Sequence, residues 1–313
     1  MRRGREAAGI AAWVAAMAAR SLAVALAAAL AAAIATAPAA AQTAKPTLKA
    51  TPKTPKSVLK AAPALPDGGA IMERCVRAWY YAGDDAVARI RMELVDRSGA
   101  TRYRLMTMFR MNLPGEEQRY LLYFHEPGDV RRMTCMVSKH PGGNDERWMF
   151  VPAAGEIRRV SAPERSRFLG SDFLREEFAG RSASEDTHRL DRFERLDGRP
   201  CWVVESVSKK PVDYASVTTW VDTTTSLPWK QEFRDRRGSI FRTYTTDKVA
   251  LIDGPGGRKI PTITERTLWA RGKTSHTRLL VESIRYGVGL EPKDFKKEHL
   301  LVPLDSWYRG PMP

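Results

Sequence analysis

A mainly β, antiparallel fold with few helices follows from three features of the sequence. From Ala88 onward, strand-like runs of eight to ten residues alternate with turn signals such as Ser98-Gly99, Pro114-Gly115 and Pro127-Gly128. Helical patterning is confined to Ile71 to Tyr81 and to a stretch from Phe168 to Phe178. The connections are short, which favours antiparallel neighbours, and a sheet of more than ten such strands must either curl into a barrel or split into a sandwich.

The chain begins differently. Among its 313 residues, 51 are Lys or Arg and 36 are Asp or Glu, a formal net charge of +15. Arg2, Arg3, Arg5 and Arg20 precede or interrupt an alanine-rich apolar run that ends in Ala39-Ala40-Ala41 before Gln42. A basic start, an apolar middle and a small-residue end are the three parts of an export signal, so residues 1–41 are assigned to it, with cleavage expected near Ala41. Ser21 to Ala37 is just long enough to approach a membrane span, the competing reading as an uncleaved anchor, but alanine is only weakly apolar. Residues 42–66 hold five lysines, five prolines and no acid. That is too little apolar surface to offset chain entropy, so this is a basic linker, suited to transient contact with an anionic membrane surface. The remainder, residues 67–313, keeps a net charge of +7 and is long enough for one sizeable core. The excess is mild, and without zinc-finger spacing or an RNA-binding aromatic signature nucleic acid is excluded as a partner.

After the helical pattern at Ile71 to Tyr81, three runs fill residues 88–126, and further strands are expected at Val130 to Val137, Arg147 to Val151 and Glu156 to Ser161. Beyond the second helical stretch come Thr187 to Arg195, Cys201 to Val207, Val217 to Val221, Pro228 to Arg234, Ile240 to Thr246, Ile263 to Trp269 and Thr277 to Tyr286. Gly254 to Lys259 resembles a phosphate loop only in composition; it lacks the spacing and the final Ser/Thr, and reads as a hairpin loop.

Two of the early runs are apolar on both sides. In "YRLMTMFRMN" one side carries Leu105, Phe109 and Met111 and the other Met106 and Met108. A half-solvated strand would alternate cleanly between apolar and polar, so this region of sheet is expected to be covered on both faces. Seven of the eleven methionines fall between Met92 and Met149. Unbranched thioether side chains suit irregular or changing contents, which points to an adaptable apolar cavity, although each methionine taken singly is as well explained by core filling.

"FLGSDFLREEF", Phe168 to Phe178, gathers Ser171, Asp172, Glu176 and Glu177. It lacks the Gly-x-Ser-x-Gly elbow of a serine hydrolase, and adjacent carboxylates diverge by about 100° on a helix, so no catalytic role is assigned. As a helix start it makes sense: Ser171 or Asp172 accepts from free amides, and the acids occupy the first turns as solvent-side charges. Leu174 and Phe178 then project together, beside Leu169 and Phe173, as an apolar edge that must lie on apolar surface. His125, His140, His188, His276 and His299 show no metal-ligand spacing, and Cys75, Cys135 and Cys201 lie 60 and 66 residues apart, outside any metal motif. No metal, cofactor or catalytic residue is therefore expected. In an oxidising compartment one cysteine pair could bridge, with connectivity open, while Cys135 and Cys201 sit in strand-like runs where a buried role is the commoner outcome.

Residues Phe150 to Phe173, "FVPAAGEIRRVSAPERSRFLGSDF", resemble the aromatic-x-Pro, paired-arginine and Phe-x-Gly-Ser-Asp-Phe signature of the larger branch of LolA-like outer-membrane lipoprotein-sorting proteins of the bacterial envelope. "WVDTTTSLPWKQEFRDRRG" (Trp220 to Gly238) and "GLEPKDFKKE" near the C-terminus are similar to further parts of that branch, so the likeness spans about residues 85–300. One departure is that Arg175-Glu176-Glu177 stands where the branch has a Tyr-Glu-Asp-like run. The resemblance implies a strongly curved, incomplete antiparallel β-barrel with short helices lidding an apolar cavity, over a lipid-binding domain at residues 67–313. It implies a periplasmic carrier that moves lipid or acylated lipoprotein cargo between inner and outer membranes without catalysis, loaded by an inner-membrane transporter. On this reading Leu105, Phe109 and Met111, or the opposite set Met106 and Met108, line the cavity. Phe168, Phe173, Leu174 and Phe178 form the lid, and Arg158, Arg159, Ser171 and Asp172 are its signature polar residues, with either arginine available to Asp172 or a lipid head group. The alternative is an envelope sensor or adaptor that reports lipid or misassembled protein to a membrane partner, and a third, weaker reading is an envelope hydrolase.

Overall fold

A computed structural model describes residues 66–160, 167–270, 272, 274–302 and 304. The chain divides into Met1–Lys60 and Ala61–Pro313, and all that follows concerns the second unit. The expected export signal and nearly all of the expected linker lie outside the described residues.

Helix α1, Gly68–Tyr80, opens on Asp67, whose carboxylate accepts from the Ala70 amide at 3.0 Å. Ile71, Met72 and Cys75 form its buried stripe, packed on Val204 and Val221. Thirteen strands follow: β1 Asp85–Val95, β2 Thr101–Asn112, β3 Gln118–Glu126, β4 Thr134–Lys139, β5 Glu146–Val151, β6 Glu156–Arg159, β7 Asp186–Leu196, β8 Arg199–Ser208, β9 Ser216–Asp222, β10 Pro228–Arg234, β11 Ile240–Asp253, β12 Lys259–Trp269 and β13 His276–Tyr286. A five-residue helix α2, Arg175–Ala179, lies between β6 and β7.

All the strands belong to one antiparallel sheet, in the order β6-β5-β4-β3-β2-β1-β13-β12-β11-β10-β9-β8-β7. Chain neighbours pair throughout, and the pairing of β1 with β13 joins two meanders into one curved, unclosed sheet. Register shifts with extra residues in β3, β7, β10, β11, β12 and β13 add local bend and twist, which lets so wide a sheet curl. The two free edges, β6 and β7, are consecutive in the chain. The segment that connects them therefore runs from one rim of the open sheet to the other, and it carries α2.

The expected strands are present, with two shortened: β6 ends at Arg159, and β4 starts late. Val130 to Met133 is not strand: Val130 donates to Pro127 O and Met133 to Val130 O, at 3.1 and 2.9 Å, and Arg132 adopts φ 66°. These turn hydrogen bonds take the groups that a ladder would need, so β4 begins at Thr134. The glycine-rich stretch after Asp253 is the hairpin loop expected of it, closed by Gly254 N to Arg258 O at 2.8 Å.

Both faces of the β1–β4 region are covered. Inside the curve, Ile90, Met92, Met106, Leu122 and Phe124 join Tyr244, Leu268 and Leu279 from the other half of the sheet, together with Phe168, Phe173 and Phe178. On the outer face Val87, Phe109, Met111, Leu121 and Met136 pack against Leu290, Phe295, Leu300 and Leu304. Asp85 holds that C-terminal segment down, its carboxylate accepting from the amides of Val288, Gly289 and Leu290 at 2.6, 2.8 and 2.8 Å.

Candidate apolar binding site

The inner hollow is roofed by the C-terminal end of α1 and by the segment from Arg167 to Gly180. Trp79 and Tyr80 stack on each other at 4.3 Å between ring centroids, and Trp79 approaches Tyr244 of β11 at 5.1 Å. The carbonyls that end α1 are clamped by β2 and β3. Arg110 donates to Tyr80 O at 2.6 Å and also to Ala82 O, Asn112 Nδ2 donates to Tyr81 O and Gly83 O, and Gln118 Nε2 donates to Tyr80 O at 2.9 Å. Orphan carbonyls at a helix end need such partners, and here they come from inward side chains of the sheet.

The second roof element answers what Phe168 to Phe178 is for. Leu169 and Gly170, at φ 48° and 77°, make a tight turn closed by Phe168 N to Phe173 O at 2.8 Å. Asp172 is an anchor. Its amide donates to Thr277 Oγ1 at 2.9 Å, and its carboxylate accepts from Thr277 Oγ1 at 3.0 Å and Ser275 Oγ at 3.4 Å and pairs with Arg167 at 3.1 Å. Arg104 of β2 donates to Leu169 O at 3.2 Å, so the turn is fixed from both sides. Phe168 and Phe178 stack at 4.3 Å, and Phe173 is buried in the inner cluster.

Three details differ from the sequence reading. The helix starts at Arg175, not at Ser171 or Asp172. Its cap is the Leu174 amide donating to Glu177 Oε2 at 2.8 Å, because Asp172 is occupied by β13. Glu177 is no solvent-side charge: it is largely buried and pairs with Arg242 of β11 at 2.9 Å. Nor do Arg158 and Arg159 reach Asp172. Both are exposed and pair with Glu156 and Glu146 respectively. Ser171 is buried, with Oγ 3.4 Å from Phe173 O.

The two candidate sets on β2 separate by face. Met106 belongs to the inner cluster and Met108 packs against it, whereas Phe109 and Met111 lie on the outer face beneath the C-terminal segment. Leu105 is buried and Leu174 is buried beside α2. Cys75, Cys135 and Cys201 are all buried, in three separate clusters. Burial pushes the Cys75 thiol up to about 12 and the Cys201 thiol up to about 11, so neither is a ready nucleophile. Among the described residues no three His, Cys, Asp or Glu side chains gather as a metal site.

Beneath the roof, two cavities flank the Trp79–Tyr80 pair. One, of about 100 Å³, is walled by Ile90, Met108, Leu279, Val281 and Ile284 and closed above by Phe178. The other, of about 90 Å³, lies between α1 and strands β7 to β10, reaching Cys75, His188, Tyr214 and Phe233. Both are partly open to solvent. A larger surface depression, of about 740 Å³, lies where Pro127, Arg131, Arg132 and Leu301 meet, and none of the roof residues border it. Arg266, which also borders the first cavity, was not legible in advance. It shares the inward side of β12 with Leu268, and an arginine two residues from an apolar side chain reads as a solvated position until the sheet is known to be covered.

A curved, unclosed antiparallel sheet with helical cover over its inner face is the LolA-like fold. A DUF1329 family protein from Desulfovibrio piger superposes with TM-score 0.67 at 22% identity, over 74% of this chain and 97% of that one. An outer membrane lipoprotein-sorting protein domain from Vibrio parahaemolyticus gives 0.66 at 24% identity, over 75% and 98%. A LolA superfamily protein from Nitrosomonas europaea gives 0.56 at 18% identity, over 75% and 100%. The sequence matches no curated protein. The family model that matches, described as an "Uncharacterized protein"-like family, covers residues 116–301, more than half of the chain, and the chain belongs to that family.

Proposed function

We propose that this protein is an exported, periplasmic carrier that shelters the apolar chains of a lipid or acylated lipoprotein beneath its roof and moves them between membranes, without covalent chemistry. Loading from an inner-membrane transporter is part of this reading, as are the roles of Met106 and Met108 as lining and of Phe168, Phe173, Leu174 and Phe178 as roof. The observation that carries it is the pair of small cavities that both border the Trp79–Tyr80 stack, inside a sheet whose edges do not close. Solved proteins of this fold include one named as a lipoprotein-sorting domain, in keeping with the same use.

The magnitudes define how it works. Burying about twelve methylenes at about 0.8 kcal/mol each is worth about 10 kcal/mol before ordering costs, enough to hold a chain through water. Cavities of about 100 and 90 Å³ cannot take such a chain as they stand; a cavity of about 150 Å³ holds only a benzene-sized guest. An acyl chain therefore needs space that side chains of the roof occupy. Displacing Trp79 joins the two spaces, and its return expels the cargo, so cargo and indole compete for one volume.

Transfer of a fluorescent acyl lipid from donor to acceptor vesicles, with catalytic amounts of protein, tests the reading. The protein is expected to accelerate transfer. An unchanged rate, with lipid-dependent binding to one membrane protein instead, would replace the carrier by a sensor.

A further inference from the structure

The cavity of about 100 Å³ holds a charge that its walls do not explain. Two guanidinium groups border it, and they differ in what they do. Arg110 is spent on the end of α1, where it donates to Tyr80 O and Ala82 O. Arg266 has no such task. Its guanidinium carbon sits 5.4 Å from the ring centroids of both Trp79 and Phe173, one from each part of the roof. It also lies beside the Tyr244 side chain, whose hydroxyl burial pushes up to about 12 while the charge of Arg266 pulls the other way.

Among the described residues Arg266 forms no ion pair. The roof carboxylates among the described side chains are committed elsewhere, Glu177 to Arg242 and the Leu174 amide, and Asp172 to Thr277 and Arg167. Aromatic faces offset part of the cost of holding a cation against apolar walls, but they supply no opposite charge. A guanidinium without a carboxylate, on the wall of a mainly apolar space, is electrostatically half of a pair.

We infer that this cavity takes the carboxylate of a fatty acid on Arg266, with the hydrocarbon chain on the methionine and aliphatic wall of β1, β2 and β13. This rests on the apolar-chain reading above and names the ligand class within it. A carboxylate fits for three reasons. It matches the planar fork of arginine, it is the smallest lipid head group, as a cavity of this volume requires, and its arrival competes with the same two rings that must move for a chain to enter. Arg266 thus couples head-group recognition to the roof.

Displacement of the neutral dye Nile red by dodecanoate and by its uncharged methyl ester separates the possibilities, both ligands being kept below their aggregation limits. The purified full chain is expected to release dye at dodecanoate concentrations about tenfold below those needed for the ester. In Arg266→Gln that preference should collapse, and in Arg266→Lys, which keeps the charge but not the fork, it should be partly retained. The wild-type comparison stands even if a variant folds poorly, and melting curves identify that case. Equal displacement by acid and ester in the wild type, or a preference that survives in Arg266→Gln, would overturn the assignment of Arg266 and leave the apolar hollow intact. Failure of both ligands to displace dye would overturn this inference and the carrier reading together.

Discussion

His125 sits at the end of β3 with Nε2 2.8 Å from Thr107 Oγ1. Burial, reinforced by the nearby charge of Arg89, pulls its pKa below the ordinary imidazole value. The unfolded chain, with an imidazole near about 6.5, then binds more protons than the folded one just below that pH, so stability falls as pH drops through this window. Thermal melts should show a lower midpoint at pH 5.5 than at 7.5, and His125→Gln should remove part of that difference. At the same scale Phe173 is a core residue more than a lid contact. It is only 1% exposed, so Phe173→Ala is expected to cost about 3–5 kcal/mol and would confuse lost retention with lost fold. Trp79, half-buried between two cavities, is the cleaner position at which to change what the hollow can hold.

Among the elements, the strands were the most legible, because period-two patterning and Gly/Pro turn signals are local and survive in the folded sheet. The short helix was legible as an apolar edge but not in its cap. Glu177 closes Leu174 while it pairs with Arg242, a residue 65 positions away in sequence, and no local rule registers such a partner. Gly180, which ends this helix at φ 80°, was equally silent. A Cβ there would lie 2.5 Å from the Tyr80 ring, so Gly180→Ala should force the two roof elements apart at a cost of about 1–3 kcal/mol, read as a lower melting point. On the outer face, Asp85 gathers three amides of the segment that covers Phe109 and Met111. Asp85→Ala leaves those amides unpaired and is expected to cost about 3 kcal/mol. Dye binding should rise as the C-terminal segment loosens from β1 to β5.

For the whole molecule, the sequence told that both faces of β2 are covered but not by what. The covers come from three distant parts of the chain, α1 and the Arg167–Gly180 segment inside and the segment from Val288 to Leu304 outside. Deciding between Met106 and Met108 on one side and Phe109 and Met111 on the other needs that long-range assignment. The topology supplies the logic. The edges β6 and β7 are consecutive in the chain, and leaving the sheet open between them lets their connection serve as a roof.

The claim that this roof covers exchangeable space for lipid is tested most directly by native mass spectrometry of the protein extracted gently from its own envelope, followed by identification of whatever is released on unfolding. A mass above that of the chain alone is expected, together with a lipid carrying at least one acyl chain and its replacement when excess dodecanoate is added. A protein that appears only at its own mass, and stays there in the presence of acyl amphiphiles, would contradict it.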